Sequence, residues 1–141
     1  KIRTIGPEGP EVEYLESDFY PELKQIIHQK IMVLISDGKV TPEDIAILFP
    51  DDISLQRFFS VDYSADQPWV KSNMRKRGSI VVDTIKKFKG LESPIVFLLL
   101  NPEIVENDEL LYVGLSRAST FLYVCGNSNS VEYFQNMINS D

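Results

Sequence analysis

The chain has 141 residues, 43% hydrophobic and 25% charged, with a net charge of −7. That length suits one domain around one core, and the composition is ordinary for a globular protein. One cysteine (Cys125), no basic-then-apolar leader and no apolar run longer than Ile95–Leu100 argue against a disulfide scaffold, secretion and a membrane span, so a reducing, cytoplasmic setting is expected.

The first sixteen residues read as a short strand and a polar connection, punctuated by Pro7, Gly9 and Pro10. A helix is predicted from Ser17 or Asp18, with Pro21 in the first turn, where its missing N–H costs little. Leu23, Ile26, Ile27, Lys30, Ile31, Leu34 and Ile35 keep the i, i+3, i+4 spacing of an amphipathic helix, and Gly38 ends it. "TPEDIAILFP" reads as a turn and a strand, Ile45 to Phe49, stopped by Pro50. "DISLQRFFS" reads as a short helix, with Asp51 and Asp52 as its N-terminal signal. The stretch from Val61 to Gly78 has little periodicity and reads as loop. "SIVVD" and "SPIVFLLL" are nearly all apolar and rich in β-branched residues, which marks strands covered on both faces. "DELLYVGLSRAS" has helical spacing, "FLYVCGN" reads as a strand, and "SVEYFQNMINS" as a closing helix.

This alternation predicts an α/β sandwich with a mainly parallel sheet. Ligands of such sheets sit beyond the carboxyl ends of the strands. The loops that leave "IAILF" (Pro50–Asp52) and "SIVVD" (from Thr84) are therefore candidate site loops. The charge distribution points to the second of them. Lys71 to Lys89 holds seven basic residues and one acidic, a balance of +6, against −13 for the rest of the chain. Such segregation predicts one local positive patch on an otherwise anion-repelling surface. On charge alone, a solvated basic loop with no ligand is the better account.

Familiar phosphate motifs are missing. There is no G-x-x-x-x-G-K-[ST] to cradle α- and β-phosphates and no G-x-G-x-x-G. Asp51 and Asp52 follow a strand as phosphoryl-accepting aspartates do, but no third aspartate and lysine stand on later strands to complete a metal site. With one cysteine and one histidine as well, no metal site is predicted in this chain.

Two later stretches carry more. "TIKKFKGLESPIVFLLL" followed by "ELLYVGLSRASTFLYVCGN" resembles the C-terminal part of superfamily 1 helicases of the UvrD/Rep type. Their fifth motif reads roughly T-x-H-x-x-K-G-L-E before an apolar strand, matched here by Thr84, Lys89, Gly90, Leu91 and Glu92. Their sixth reads roughly L-x-Y-V-[AG]-[LIMV]-[ST]-R-A before another strand. The matches here are Leu111, Tyr112, Val113, Gly114, Leu115, Ser116, Arg117 and Ala118. "DIAILF" resembles the strand that precedes both, so the likeness runs in order over most of residues 41 to 127.

The resemblance implies a second, C-terminal RecA-like domain spanning residues 1–141, a three-layer sandwich with a mainly parallel central sheet. The P-loop would lie in a preceding N-terminal RecA-like domain of the same chain, which would hold most of the ATP and its Mg²⁺. Arg117 would be the catalytic arginine finger at the cleft between the domains. Gly90, Glu92 and Gly114 would join it on the nucleotide, Glu92 at the ribose. Thr84, Lys86 and Lys87 would meet the backbone of single-stranded DNA. Two departures stand out. Lys86 replaces the usual histidine of the fifth motif, and Pro50 and Asp51 stand where relatives often carry an arginine. A second implication is thus a degenerate helicase-like module that binds or regulates without catalysis. The short 61–78 segment leaves no room for a large inserted domain and implies a compact variant.

Overall fold

A computed structural model describes residues 2–4, 9–60, 69–70, 77–101 and 107–139. Seven strands are present among them: β1 (Ile2–Thr4), β2 (Glu11–Glu16), β3 (Ile45–Phe49), β4 (Trp69–Val70), β5 (Ile80–Thr84), β6 (Ser93–Leu99) and β7 (Ala118–Gly126). They form one sheet in the order β1-β2-β7-β6-β3-β5-β4. Every pairing is parallel except that of β1, which lies antiparallel on β2 at one edge. The helices are α1 (Tyr20–Ser36), α2 (Asp52–Ser60), α3 (Asp108–Leu115) and α4 (Ser128–Asn139). The expected α/β sandwich is therefore the fold observed.

The apolar strands are buried on both faces, as their sequence requires. Ile45, Ile47 and Phe49 of β3 point into one core with Leu23, Ile27 and Ile31 of α1 and Phe58 of α2. Ala46 and Leu48 point into the other, with Leu111 and Leu115 of α3 and Phe134 of α4. Three layers result, with two cores back to back. Cys125 is fully buried in the first core, and burial pushes its thiol well above its ordinary range, so it behaves as a small apolar residue. Among the described residues no helix is long and apolar enough to cross a membrane.

Several boundaries differ from expectation. The polar connection in "GPEGPEVEYLE" contains β2, because Val12 buries in the core with α4 and Leu15 in the core with α1, while Glu11 and Glu16 are exposed. Helix α1 starts at Tyr20, not at Ser17 or Asp18. Ser17 Oγ accepts the Phe19 N–H at 3.1 Å, and Asp18 turns away to accept the N–H and hydroxyl of Ser128 at 2.8 and 2.9 Å. Pro21 does sit in the first turn, and Gly38, at φ +80, ends the helix. Trp69–Val70, read as loop, pairs in parallel with β5; the remaining residues of that loop as far as 76 lie outside the described ones. Pro94 sits where β6 shifts register against β7, a step at which a missing N–H disturbs nothing.

The helix predicted over "DELLYVGLSRAS" ends at Leu115. Ser116 is its C-cap, and the Arg117 N–H donates back to Gly114 O at 3.1 Å, a tight closing turn. Strand β7 then starts at Ala118, three residues before the predicted strand. The Ser93 N–H donates to Arg117 O at 3.0 Å, which draws the turn into the β6–β7 ladder.

Candidate nucleotide and nucleic-acid edges

The lysine-rich turn shows why its sequence is half basic and half apolar. Beyond β5, Ile85 and Phe88 are fully buried against the second core, and Lys86, Lys87 and Lys89 are exposed. The apolar pair pins the turn, so the lysines are held outward. The Ile85 N–H donates to Phe49 O at 2.9 Å, and the Phe88 N–H to Thr84 O at 3.1 Å. Thr84 itself is buried, and its hydroxyl accepts the Lys87 N–H at 3.3 Å. Its place is thus beneath the lysines, shaping the turn that carries them. Asp83, the one acid of the basic segment, is buried and accepts the Thr84 N–H at 2.8 Å.

Gly90 closes the turn at φ +84, a left-handed backbone that favours glycine. A Cβ there would meet nothing within 4 Å, so any penalty comes from the backbone alone. Gly90→Ala is expected to destabilise the domain by about 1–2 kcal/mol, with Gly90→Asn affected less, as read by denaturant unfolding.

After Gly90 the chain crosses to the other end of the sheet, where β6 and β7 begin. Arg117 stands there in the turn between α3 and β7, and not on a helix as the spacing predicts. Its Nη2 and Nε donate to Ser116 Oγ at 2.9 and 3.3 Å, and its Nη1 to Leu91 O at 3.4 Å. Among the described residues no carboxylate lies within ion-pair distance of it, in contrast to Lys30, paired with Glu13 at 3.3 Å, and Lys87, with Asp52 at 4.0 Å. An unpaired guanidinium held only by neutral oxygens is a preformed anion receptor. Glu92 is exposed and flanked by Leu91 and Ser93, both bonded to Arg117. Gly114 is buried in α3 and is not at the surface. A Cβ on it would lie 2.9 Å from Leu98 Cδ1, so the close approach it permits is that of α3 to β6.

The named residues therefore divide between two edges. Lys86 and Lys87 lie at the carboxyl ends of the strands, beside Asp52. Glu92 and Arg117 lie toward the amino ends, and Gly90 ends the turn from which the chain crosses to them. The basic segment is divided as well. Arg77 precedes β5 at the amino end, near Glu43, whose carboxylate accepts the Gly78 N–H at 2.8 Å and is held below its usual range by that bond. β5 separates Arg77 from Lys86, so the single patch expected from composition is at least two; Lys71, Arg75 and Lys76 lie outside the described residues. The aspartates after β3 form the helix signal expected of them, since Asp51 Oδ1 accepts the Ser54 N–H at 2.7 Å. No group of three His, Cys, Asp or Glu suited to a metal occurs among the described residues. Sequence reasoning missed Ser116 as the holder of Arg117, although the serine stands inside the quoted motif. It also missed Ile85 and Phe88 as anchors, although their i, i+3 spacing was visible.

Residues 79–125 match the sequence model of the UvrD-like helicase C-terminal domain, a span that contains every site residue named above. In fold, the chain is similar to the C-terminal domain of a possible DNA helicase from Lactobacillus plantarum WCFS1. The TM-score is 0.61 at 19% identity, over 92% of this chain and 82% of that one. No curated protein matches it in sequence. From β5 through β7, with the turns that carry Lys86, Glu92 and Arg117, the chain is thus similar to UvrD-like helicase C-terminal domains, on a RecA-like fold.

Proposed function

We propose that the chain is the C-terminal motor domain of an ATP-dependent DNA helicase or translocase. The observation that carries this reading is Arg117, a guanidinium with no carboxylate partner among the described residues, fixed by Ser116 and Leu91 at the edge where Glu92 is exposed. A partner N-terminal RecA-like domain, docked on that edge, would bring ATP and Mg²⁺, which supply the transferable phosphoryl group. Arg117 would then stabilise the negative charge that spreads over the phosphoryl oxygens during transfer. Glu92 would accept a hydrogen bond from the ribose. Because those groups belong to two domains, turnover would occur only when the cleft closes.

The opposite edge would track single-stranded DNA, with Lys86 and Lys87 as point charges for phosphates. One segment, residues 85–92, joins the two edges, and Ile85 and Phe88 tie it to the core between them. Movement at the nucleotide is thereby passed to the lysine turn through a short, packed connection. Lysine in place of histidine at position 86 preserves the phosphate contact.

The salt dependence of binding tests this edge. Each phosphate neutralised on a single strand contributes roughly −0.7 to the slope of log affinity against log salt. Lys86→Ala with Lys87→Ala is expected to make the slope shallower by about 1.4, measured by anisotropy of a labelled oligonucleotide. Unchanged affinity and slope in the double variant would remove this turn from the DNA track.

A further inference from the structure

At their carboxyl ends, neighbouring strands β3 and β6 send the chain in opposite directions, β3 toward β5 and β6 toward β7. Such a switch point leaves a crevice. A cavity of about 150 Å³ lies there, walled by Phe49, Pro50 and Leu99, with Ser54, Asn101 and Asp18 among its polar lining. The Asn101 side-chain amide donates to Ser54 Oγ at 2.7 Å, which ties the loop after β6 to the start of α2. None of the residues given a role above lines it.

Three helices, α1, α2 and α4, begin around this cavity. Bare helix starts would favour an anion, but here the first N–H groups of α2 and α4 are taken, and only α1 starts without a side-chain cap. Asp51 accepts from Ser54, Asn127 from Ser130 at 2.8 Å, and Asp18 from Ser128. The caps place carboxylates close by, against the single guanidinium of Arg57, which lies 4.1 Å from the centre of the Tyr20 ring. A phosphate is disfavoured; a flat, uncharged group is favoured. Size narrows the choice. A cavity of about 150 Å³ holds one benzene-sized ring, well short of the space a nucleotide needs.

Two exposed apolar side chains stand next in sequence to its lining residues. Phe19, between the lining residues Asp18 and Tyr20, is 66% exposed, and Ile53, before Ser54, is 79% exposed. The lysine turn starts at the cavity wall, since Ile85 N–H is bonded to Phe49 O. Resting on the single-strand reading above, we propose that this cavity takes one pyrimidine base of a DNA strand whose phosphates pass Lys86 and Lys87, with Phe19 as the stacking face at its mouth. The domain then prefers pyrimidine-containing strands, a selectivity that the lysines alone cannot give. Exposed aromatic faces beside a basic track are the usual means of holding unpaired bases.

The test uses strands that are abasic except for one central thymine, cytosine or adenine, which removes self-stacking from the comparison. The thymine and cytosine strands are expected to bind about tenfold more tightly than the adenine and fully abasic strands, the size of one base–aromatic stack. Phe19→Ala is expected to abolish the difference and leave the salt slope unchanged. Equal affinity for all four strands overturns the pocket and leaves the lysine track standing. Free nucleosides supply the second arm. Thymidine is expected to shift the amide resonances of Ser54 and Asn101, and adenosine is not. If no strand binds yet thymidine shifts those amides, the pocket stands and the single-strand reading falls. If thymidine leaves them unmoved, the pocket falls.

Discussion

If the proposed motor function holds, Arg117→Ala in the full-length protein is expected to lower kcat for ATP by roughly 10³- to 10⁵-fold, the range that arginine fingers supply. The domain itself should remain folded. The side chain is only half-buried, and its bonds to Ser116 and Leu91 are solvent-exposed, so their loss should cost about 1–2 kcal/mol at most. Nucleotide affinity should fall modestly, because on that proposal the P-loop of the preceding domain would hold most phosphate contacts. Arg117→Lys should restore little, since an ammonium cannot present two fixed donors to the phosphoryl group. DNA-stimulated ATPase at saturating ATP, measured beside a thermal melt, reads these outcomes. A near-normal kcat would take Arg117 out of the mechanism and favour the module that binds without catalysis.

The second large effect is on stability. Phe88→Ala is expected to cost about 3–5 kcal/mol, because Phe88 is fully buried in the core shared with α3 and α4 and its removal leaves a cavity. For a domain of this size the melting temperature should fall by roughly 10–20 °C. Leu91→Ala, three residues on, should change stability by less than about 0.5 kcal/mol, since Leu91 is 38% exposed. The contrast checks which residues of "IKKFKGL" anchor and which present. Below its melting point, Phe88→Ala should also weaken single-strand binding although it removes no charge, because the lysines lose their fixed base. Equal losses of stability for the two variants would contradict the pinned-turn description.

The layers of this fold were legible because the central strands are nearly all apolar, and such strands demand helices on both faces. The candidate site residues were named as a set, through two motifs in order. Their placement was not. Lys86 and Glu92 are close in sequence, yet the turn at Gly90 and the crossing to β6 send them to different edges. Arg77 and Lys86 likewise stand at opposite ends of β5, a separation that no charge count reveals. The helical spacing of "DELLYVGLSRAS" ran on past Leu115 because a C-terminal turn keeps i, i+3 bonding without being helix. Asp18 looked like a helix start and serves another helix, Ser128–Asn139, 110 residues away in sequence. That pairing is long-range and leaves no local signal.

The division of labour between the two edges is the central claim, and crosslinking tests it most directly. Benzoylphenylalanine is placed at position 86 in one variant and at position 92 in another, and each is irradiated with a labelled single-stranded oligonucleotide. The account predicts a crosslink from position 86, competed by salt, and none from position 92. Crosslinking of equal yield from both positions, or from position 92 alone, would contradict it.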